Sequence, residues 1–547
     1  MQAIDSLRGE LQTIVTQWGC AWPEKCVVEA PKDPRHGDLS TNLALLLAKP
    51  LGKKPRELAE ELARLLQEKV AIIASAQAAG PGFCNVVFSA AFWQQVIGDV
   101  QQGGCNYGHF TDGAGKKVLV EFVSANPTGP LHVGHGRGAA VGDSLARLLR
   151  CAGYTVDTEY YINDAGRQMR ILGLSVWLRA RELRNLPVEW PEDYYHGSYI
   201  IDLARELLER EPDLLERERE EAIDRCYAYA MQSILDGIKH DLAEFRVQQD
   251  TFFSEKSLVK DHAVDRAFEA LDKCGRTYHQ DNAYWFATSA LGDDRDRVLR
   301  KSDGSLTYFA SDIAYHHNKY ERGYDWLVDV WGADHHGYIP RMRAAIESMG
   351  RSQESFDVIL IQLVNLMKDG HPLGMSTRAG TFETLHDVVK EVGVDAARFM
   401  FLSRKSDSPL DFDLDLVRQR NMENPVYYVQ YAHARISALL RRAEERGIDC
   451  TDADITCLTE PCDLTLLRKM AAYEDALRGA ARTLGVHHVS RYLTELAGLV
   501  HSYYASQQIL GSEDQELIKA RLVLFQALAQ VLRNGLDVLG VDAPSQM

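Results

Sequence analysis

The residues most suited to chemistry are two histidines in the segment SANPTGPLHVGHGRG (124–138). His132 and His135 lie between a β-rich run, KVLVEFVSA, and a helical run, so both imidazoles are expected at a helix N-terminus. There the helix dipole and unpaired N–H groups favour anions. Gly134 and Gly136 carry no side chain, so a bulky ligand can approach the backbone. Two imidazole donors here suit a nucleotide, in particular the charge that develops on its α-phosphate during displacement.

A metal site is the alternative for the same histidines. HHGY (335–338) follows a later strand and offers a further ligand, but it fits a second wall of a nucleotide site equally well. The ten cysteines form no CxxC pair, and the closest spacings, Cys20/Cys26 and Cys457/Cys462, fit no zinc pattern. We therefore assign no protein-bound metal.

The elements that must position the histidines form a strand, a Gly-rich turn, a helix and a second strand, TVDTEYYI. This is a βαβ unit of a doubly wound sheet, which binds ligands at the carboxyl ends of its strands. Alternation of strands and helices resumes at DWLVDVWGAD (325–334). The intervening stretch, about 165–300, is expected to be an inserted helical segment.

At roughly 150 residues per domain, 547 residues indicate three or four domains. Residues 1–112 form a small α/β unit, and 113–414 form the α/β part with its insertion. The remainder, 415–547, contains three long segments of helical periodicity and is expected to be an all-α bundle.

Composition excludes several classes of protein. The 46 % hydrophobic and 25 % charged residues are typical of a globular protein, and no run approaches ~20 uninterrupted apolar residues, so a transmembrane helix is excluded. The N-terminus lacks the basic start and apolar region of a signal peptide, and the few cysteines suit a reducing cytosol. A net charge of −17 disfavours general nucleic-acid binding, although local basic surfaces leave an RNA ligand open.

Several motifs in the same order resemble those of one family. HVGH after VEFVSANPTGP, with EYYINDAGRQM behind it, resembles the HIGH signature of class I aminoacyl-tRNA synthetases, and its flanking residues resemble the arginyl-tRNA synthetase family. AGPGF (79–83), LGDDRDRVL (291–299) and NPVYYVQYAHAR (424–435) extend the resemblance over nearly the whole chain.

The resemblance implies a class I Rossmann-type catalytic domain between an N-terminal tRNA-contacting domain and a C-terminal helical anticodon-binding domain. It implies that L-arginine attacks the α-phosphate of Mg²⁺-bound ATP to give arginyl-adenylate, and that tRNA-Arg then accepts the arginine. Neither step needs a protein nucleophile, because positioning and charge stabilisation suffice. A cytoplasmic monomer is expected.

The same resemblance assigns roles to individual residues. A guanidinium needs carboxylates in fork geometry, and Glu121, Tyr308 and Asp312 are implied to hold it. Ser124 and Asn126, together with His135, are implied to hold the amino and carboxylate groups of arginine. His132, Gly134 and His135 are implied to bind ATP. The implied tRNA contacts are Tyr428 and Tyr431 in the anticodon domain, Met547 at the last position, and Asn85 in the N-terminal domain.

The second nucleotide signature departs from the family pattern. In KDGHPLGMSTRAG (368–380), Gly374 and Thr377 stand where a KMSKS loop has lysines, and only Met375 and Ser376 match and are implied to contact ATP. Charge on the departing pyrophosphate must then be met by Arg378, Lys368, Mg²⁺ or the histidines, and we expect Arg378 to substitute in part.

Two alternatives stay open at this point. Another class I synthetase or an adenylyltransferase would keep HVGH, but it would lack the set of Glu121, Tyr308 and Asp312. A non-catalytic tRNA-binding paralogue would explain Gly374 and Thr377, but it would not require the intact HVGH and anticodon domain.

Overall fold

The first part of the chain is a four-stranded antiparallel sheet covered by helices. The computed structural model describes residues 2–31, 33–373 and 384–547. The strand order is β1-β2-β4-β3. Pro55 opens α3, which buries Leu58, Leu62 and Leu66 against the sheet. The elements are α1 (Gln2–Gln17), β1 (Val28–Glu29), β2 (Leu39–Thr41), α2 (Leu43–Leu47), α3 (Pro55–Lys69), β3 (Ile73–Ala79), β4 (Phe83–Phe88) and α4 (Ala90–Gly103).

A five-stranded parallel sheet forms the centre of the molecule, with strand order β12 (Phe356–Ile361), β11 (Trp326–Gly332), β5 (Lys117–Glu121), β6 (Thr155–Ile162) and β7 (Thr251–Ser254). The chain leaves β5 in one direction for β6 and β7 and later returns on the other side with β11 and β12. The switch point of the sheet therefore lies between β5 and β11, where a doubly wound fold binds its ligand. Its first elements are β5 (Lys117–Glu121), α5 (Val133–Cys151), β6 (Thr155–Ile162), α6 (Arg167–Leu183), α7 (Ser198–Arg210), α8 (Arg219–Glu244) and β7 (Thr251–Ser254).

The inserted segment is only partly helical, which corrects the expectation for 165–300. Helices α6 to α8 fill its first half, but β7 then joins the parallel sheet beside β6. A separate antiparallel sheet, β10-β9-β8, follows. The aromatic run Ala283–Phe286 supplies its central strand, as β propensity favours. These elements are α9 (Glu255–Lys260), α10 (Ala263–Lys273), β8 (Thr277–Gln280), β9 (Ala283–Phe286) and β10 (Arg297–Arg300).

The second half of the central part completes the sheet and leads to the C-terminal helices. Strand β13 pairs with β14 in a hairpin and runs parallel to β15. The elements are α11 (Tyr308–Glu321), β11 (Trp326–Gly332), α12 (Ile339–Ser348), β12 (Phe356–Ile361), β13 (Val364–Lys368), β14 (His371–Pro372), α13 (Leu385–Val392), α14 (Val394–Leu402), β15 (Leu410–Asp413) and α15 (Leu414–Arg418).

The last part is a helical bundle, as expected. Asn424 caps α16 and Pro425 occupies its first turn. The periodic run from 464 to 484 is divided at Ala472 into two helices. The helices are α16 (Pro425–Glu445), α17 (Pro461–Ala471), α18 (Tyr473–Thr483), α19 (His487–Ser506) and α20 (Gln515–Val538). None of the helices in the described ranges is sufficiently long and apolar to cross a membrane.

The N-terminal part packs directly on this bundle. Gln94 on α4 donates to the carbonyl of Leu458 at 3.1 Å, and the Tyr107 hydroxyl donates to the carbonyl of Met470 at 3.1 Å. From the other side, the Asn534 amide on α20 donates to the carbonyl of Gly104 at 2.9 Å. Apolar packing accompanies these hydrogen bonds, because buried residues of all three parts belong to one core cluster.

Candidate active site

The two histidines lie at the N-terminus of α5, as the spacing predicts. Nδ1 of His132 accepts a hydrogen bond from the backbone N–H of Gly134 at 3.1 Å, and Nδ1 of His135 accepts from the N–H of His132 at 3.3 Å. The rings stack with their centroids 3.6 Å apart. Burial lowers the pKa of His132, and burial followed by His132 lowers the pKa of His135 to about 3. Both rings are therefore neutral near pH 7, and each carries its proton on Nε2.

The backbone just before the histidines is strained. Val123 and Ser124 have φ of 72° and 39°, a region that a β-branched residue rarely adopts. Side chains hold it there: the Ser124 hydroxyl donates to Oε1 of Glu121 at 2.8 Å and accepts from the N–H of Tyr161 at 3.1 Å. Strain of this kind persists where surrounding contacts fix it, and it is concentrated at functional sites.

Two connected cavities open at the carboxyl ends of β5 and β11. The larger, about 1120 Å³, is lined by His132, Gly134 and His135 and by the residues that follow β11 and β12. The smaller, about 280 Å³, is lined by Glu121, Asp312 and Asp329, and we call it the acidic compartment. The two cavities share walls made of Val123, Ser124, Asn126, Asn163, Val330, Trp331, Gly332 and His335. A ligand can thus present a phosphate to the histidines and a cation to the carboxylates.

Asp312 is the carboxylate of the acidic compartment that makes no ion pair within the described ranges. It accepts a hydrogen bond from the Tyr338 hydroxyl, and burial raises its pKa. Glu121, in contrast, forms an ion pair with Lys319, whose Nζ also bonds Asp329. Sequence reasoning missed Lys319 and Asp329. Their sequence signal is weak, because a lysine on a helix is ordinarily solvated and only the seven-residue spacing from Asp312 puts Lys319 on the same face.

Four of the six predicted arginine-binding residues are brought together; His135 lines only the larger cavity, and Tyr308 lines neither. Glu121, Ser124, Asn126 and Asp312 all line the acidic compartment, and the Asn126 amide is held by Gln168 on α6 at 2.8 Å. Tyr308 lies one turn before Asp312, at the start of α11. Its side chain is 73 % exposed and lines neither cavity.

The second signature loop falls on residues that the structure does not describe. Met375, Ser376 and Arg378, with Gly374 and Thr377, lie outside the described ranges. Lys368, before the loop, pairs with Glu391 at 3.5 Å. Thr384, directly after the undescribed residues, forms an isolated β-bridge with His132 and caps α13 through a reciprocal pair of bonds with Asp387. Thr384, the first described residue after the loop, therefore lies against His132.

In the bundle, Tyr431 and Met547 line one cavity of about 580 Å³ together with Arg435, Arg441 and Arg442. Met547 is 54 % exposed. Tyr428 does not line this cavity; its ring packs edge-on against His501 at 4.6 Å.

Asn85 lies in the central strand β4 of the N-terminal sheet, between Ser40 and Gln77.

Among the described residues, His132 and His135 belong to no group of three possible metal ligands. Within the described ranges, the only group of three His, Cys, Asp or Glu side chains with mutually close ligand atoms is Asp241, Glu244 and His386. His335 and His336 line the larger cavity with His132, which agrees with a second wall of that cavity.

Three family models match consecutive parts of the chain. The arginyl-tRNA synthetase N-terminal domain matches 2–88, the class I tRNA synthetase (R) catalytic domain matches 102–412, and the DALR anticodon-binding domain matches 429–547.

Individual relatives match the whole chain. The chain is 65 % identical to an arginine–tRNA ligase of Desulfovibrio desulfuricans and 59 % identical to one of Nitratidesulfovibrio vulgaris, with all of each chain covered. The structure of Thermus thermophilus arginyl-tRNA synthetase has the same fold, with a TM-score of 0.75 at 23 % identity over the full length of both chains. With three family models matched in order along the chain and relatives that cover its whole length, the chain belongs to the arginyl-tRNA synthetase family of class I aminoacyl-tRNA synthetases.

Proposed function

We propose that the chain attaches L-arginine to tRNA-Arg in two steps, through an arginyl-adenylate. The observation that carries this proposal is the junction of two cavities, one with two neutral histidines at a helix N-terminus and one with unbalanced carboxylate charge. ATP and arginine bound there would meet at the shared wall. Membership of the family supplies the reaction that this arrangement serves.

In the first step a carboxylate oxygen of arginine attacks the α-phosphorus of ATP, and the bond to the bridging oxygen of pyrophosphate breaks. His132 and His135 donate from Nε2 to the phosphate oxygens as charge develops, and Gly134 leaves room for the nucleotide. Met375 and Ser376 contact ATP, and Arg378 neutralises the departing pyrophosphate in place of the family's lysines. Because both rings are neutral donors, they stabilise charge without exchanging a proton.

Arginine is held at both ends. Asp312 and Glu121 pair with the guanidinium. The family resemblance implies that Tyr308 contacts it as well, which requires the tyrosine side chain to move towards the two carboxylates. Ser124 and Asn126, with His135, hold the amino and carboxylate groups. Fixing these groups next to the α-phosphate converts a bimolecular attack into an oriented one, which is a large part of the rate.

Mg²⁺ fits this site as a companion of ATP. Of the described residues lining the larger cavity, Asp334 is the one carboxylate, and Mg²⁺ commonly binds through substrate phosphates, water and only one or two carboxylates. When bound, the ion supplies positive charge to the phosphate oxygens.

In the second step the terminal ribose hydroxyl of tRNA-Arg attacks the carbonyl carbon of the adenylate and AMP leaves. Tyr428, Tyr431 and Met547 contact the anticodon loop: the two half-buried tyrosine rings would stack on unpaired bases, and the exposed Met547 lies beside Tyr431 in the same cavity. Asn85 contacts tRNA from the N-terminal sheet.

The corresponding domains are 1–112, 113–414 and 415–547, and the chain acts as a monomer in the cytoplasm. Its ten cysteines are all unpaired, in keeping with a reducing compartment.

Arginine-dependent exchange between ATP and pyrophosphate tests the function directly. We expect exchange in the presence of tRNA-Arg, and we expect Arg378→Ala to lower it by at least about tenfold, because a phosphate-directed cation is lost. Arg404→Ala, a change of the same type outside the loop, serves as the control. Absence of exchange from the wild type, with tRNA still bound, would instead indicate a non-catalytic tRNA-binding paralogue.

A further inference from the structure

The helix that carries the two histidines also carries a buried cation. Arg137, two residues after His135 on α5, has no exposed surface. Burial lowers the pKa of its guanidinium to about 10, although Asp407 favours the charge, so the group is still protonated near pH 7. Asp407 itself pairs with Lys405. A cation buried in this way costs stability unless hydrogen bonds compensate for the lost water.

Three backbone carbonyl oxygens from two segments accept hydrogen bonds from this one guanidinium. Nη1 donates to the carbonyl of Gln362 at 2.9 Å and to that of Ser408 at 2.8 Å, and Nη2 donates to the carbonyl of Lys405 at 2.9 Å. Gln362 directly follows β12, and the other two residues lie between α14 and β15. Because a guanidinium is planar and its donors point in fixed directions, it fixes all three carbonyls relative to α5.

The two segments are also bonded to each other through the backbone. The N–H of Gln362 donates to the carbonyl of Ser406 at 2.9 Å, and the N–H of Leu410 donates to the carbonyl of Leu363 at 3.1 Å. Strand β13 then runs parallel to β15. These bonds hold the segments together but do not involve α5. The guanidinium therefore attaches the two segments, as one unit, to the helix that carries the histidines.

This unit supplies a wall of the larger cavity. Residues 362–364, which we call the corner, line the larger cavity and not the acidic compartment. Leu363 is 74 % exposed there, and an apolar side chain suits a nucleobase better than a phosphate. With the histidines directed at the phosphates, the corner is left to contact the nucleoside part of ATP.

We propose that Arg137 is a positioning residue for the nucleotide, because it holds the corner at the distance from His132 and His135 at which one ATP molecule contacts both. Arg137 lines neither cavity, so it acts through the corner and not on the substrate. The inference rests on the proposed function, which supplies ATP as the ligand. A displacement of about 1 Å in such a wall is enough to disturb a bound substrate.

Arg137→Lys tests the proposal, because lysine keeps the charge but lacks the planar fork that reaches three carbonyls. The KM for ATP in arginine-dependent exchange should rise at least about tenfold, through displacement of the corner. The KM for arginine should stay within about twofold, since the corner does not line the acidic compartment. Arg137→Gln, which is neutral and so buries no unpaired charge, should show the same pattern.

Two further probes separate the parts of the nucleotide. The inhibition constant of adenosine, which has no phosphate, should rise together with the KM for ATP. The KM for pyrophosphate, measured in the same exchange assay, should change by less than about twofold, because the histidines are untouched. A rise confined to the nucleoside would thus place the effect at the corner.

Arg398→Lys is the matched control. Arg398 also has no exposed surface, and it donates to the carbonyls of Leu539 and Phe245 at 2.9 and 3.1 Å, but these residues line neither cavity. Both lysine variants should lower the midpoint of thermal unfolding. Only Arg137→Lys should raise the KM for ATP.

Other outcomes contradict the proposal. An equal rise of the KM for ATP in both lysine variants, or a fall in kcat alone in the Arg137 variants, would show that Arg137 only stabilises the fold. If the wild type lacked arginine-dependent exchange, the proposed function would fail separately. Calorimetric binding of ATP to the wild type and to the same variants would then still test the positioning role.

Discussion

The proposed chemistry of His132 and His135 depends on a fixed protonation state of each imidazole ring. His132 and His135 accept backbone N–H bonds through Nδ1, and burial lowers the pKa of both rings. Hydrogen bonding and burial therefore act in the same direction, and each ring is held as a neutral Nε2–H donor. Such donors are already oriented when charge develops on the phosphate, so little reorganisation is needed during the reaction.

Asp312 should be the residue on which arginine activation depends most. Asp312→Ala removes the carboxylate of the acidic compartment that makes no ion pair with the described residues, and we expect arginine-dependent exchange to fall by more than about 100-fold, because a buried charge-assisted pair with arginine is lost. Asp303→Ala, on the exposed turn before α11, is the control. Binding of tRNA should stay within about twofold in a filter assay, as the bundle is untouched. An unchanged KM for arginine would exclude Asp312 from the pocket.

The positions of residues within one contiguous strand, turn and helix could be predicted from the sequence. The positions of residues whose contacts come from distant parts of the chain could not. The place of His132, His135 and Ser124 follows from a strand, a turn and a helix that are contiguous in sequence. Lys319 and Asp329 meet Glu121 only because β11 lies beside β5 in the sheet, and that pairing spans about 200 residues of chain. Tyr308 shows the opposite case, since the family resemblance put it with Asp312 but the residue is exposed.

Among the elements, α5 links the histidines to the segments that follow β12 and α14. Its N-terminus carries the histidines, its first turn packs against α13, and Arg137, which has no exposed surface, donates to the carbonyls of Gln362, Lys405 and Ser408. The periodic sequence of α5 predicted a helix, but the arginine was not predicted to be buried. The strands within the insertion were missed for a related reason: short strands such as β7 and β8 carry little periodicity, and their pairing decides their structure.

The close approach of α5 and α13 can be tested at Gly136. A Cβ at this position would lie 2.5 Å from Cδ1 of Leu385 and 3.3 Å from the ring of Phe401. We expect Gly136→Ala to displace α13, to cost about 1–3 kcal/mol of stability and to lower exchange at least about fivefold. Gly237→Ala, in the middle of α8, meets nothing within 4 Å and should be neutral or stabilising. Thermal unfolding and exchange assays measure both effects, and equal behaviour of the two variants would contradict the packing argument.

At the scale of the whole molecule, buried residues of all three parts belong to one core cluster, and the four proposed tRNA-contacting residues lie on the N-terminal part and the bundle. The alternation of strand, turn and helix was enough to predict the α/β centre, and helical periodicity was enough to predict the all-α bundle, because both patterns are local. The docking of the N-terminal part on the bundle was not predictable, since it depends on complementary surfaces from distant parts of the chain.

Tyr431 tests the bundle's part in recognising tRNA. We expect Tyr431→Ala to raise the KM for tRNA-Arg about 5- to 100-fold, through loss of a stacking surface worth about 1–3 kcal/mol. The KM for arginine, measured by aminoacylation, should not move. Tyr278→Ala, in the small antiparallel sheet, controls for the loss of a tyrosine. Normal charging kinetics would exclude Tyr431 from the tRNA contact.

The hydrogen bonds of Gln94, Tyr107 and Asn534 join the N-terminal part to the bundle through backbone carbonyls, so these two parts keep a fixed spacing. If tRNA contacts both parts, the protein fixes the distance between its two contact sites. Binding at one contact site raises the effective concentration of the nucleic acid at the other, but only for a molecule of matching length. An RNA with a shortened stem would bind at either site but not at both, so the length of the RNA would decide binding before any base is recognised.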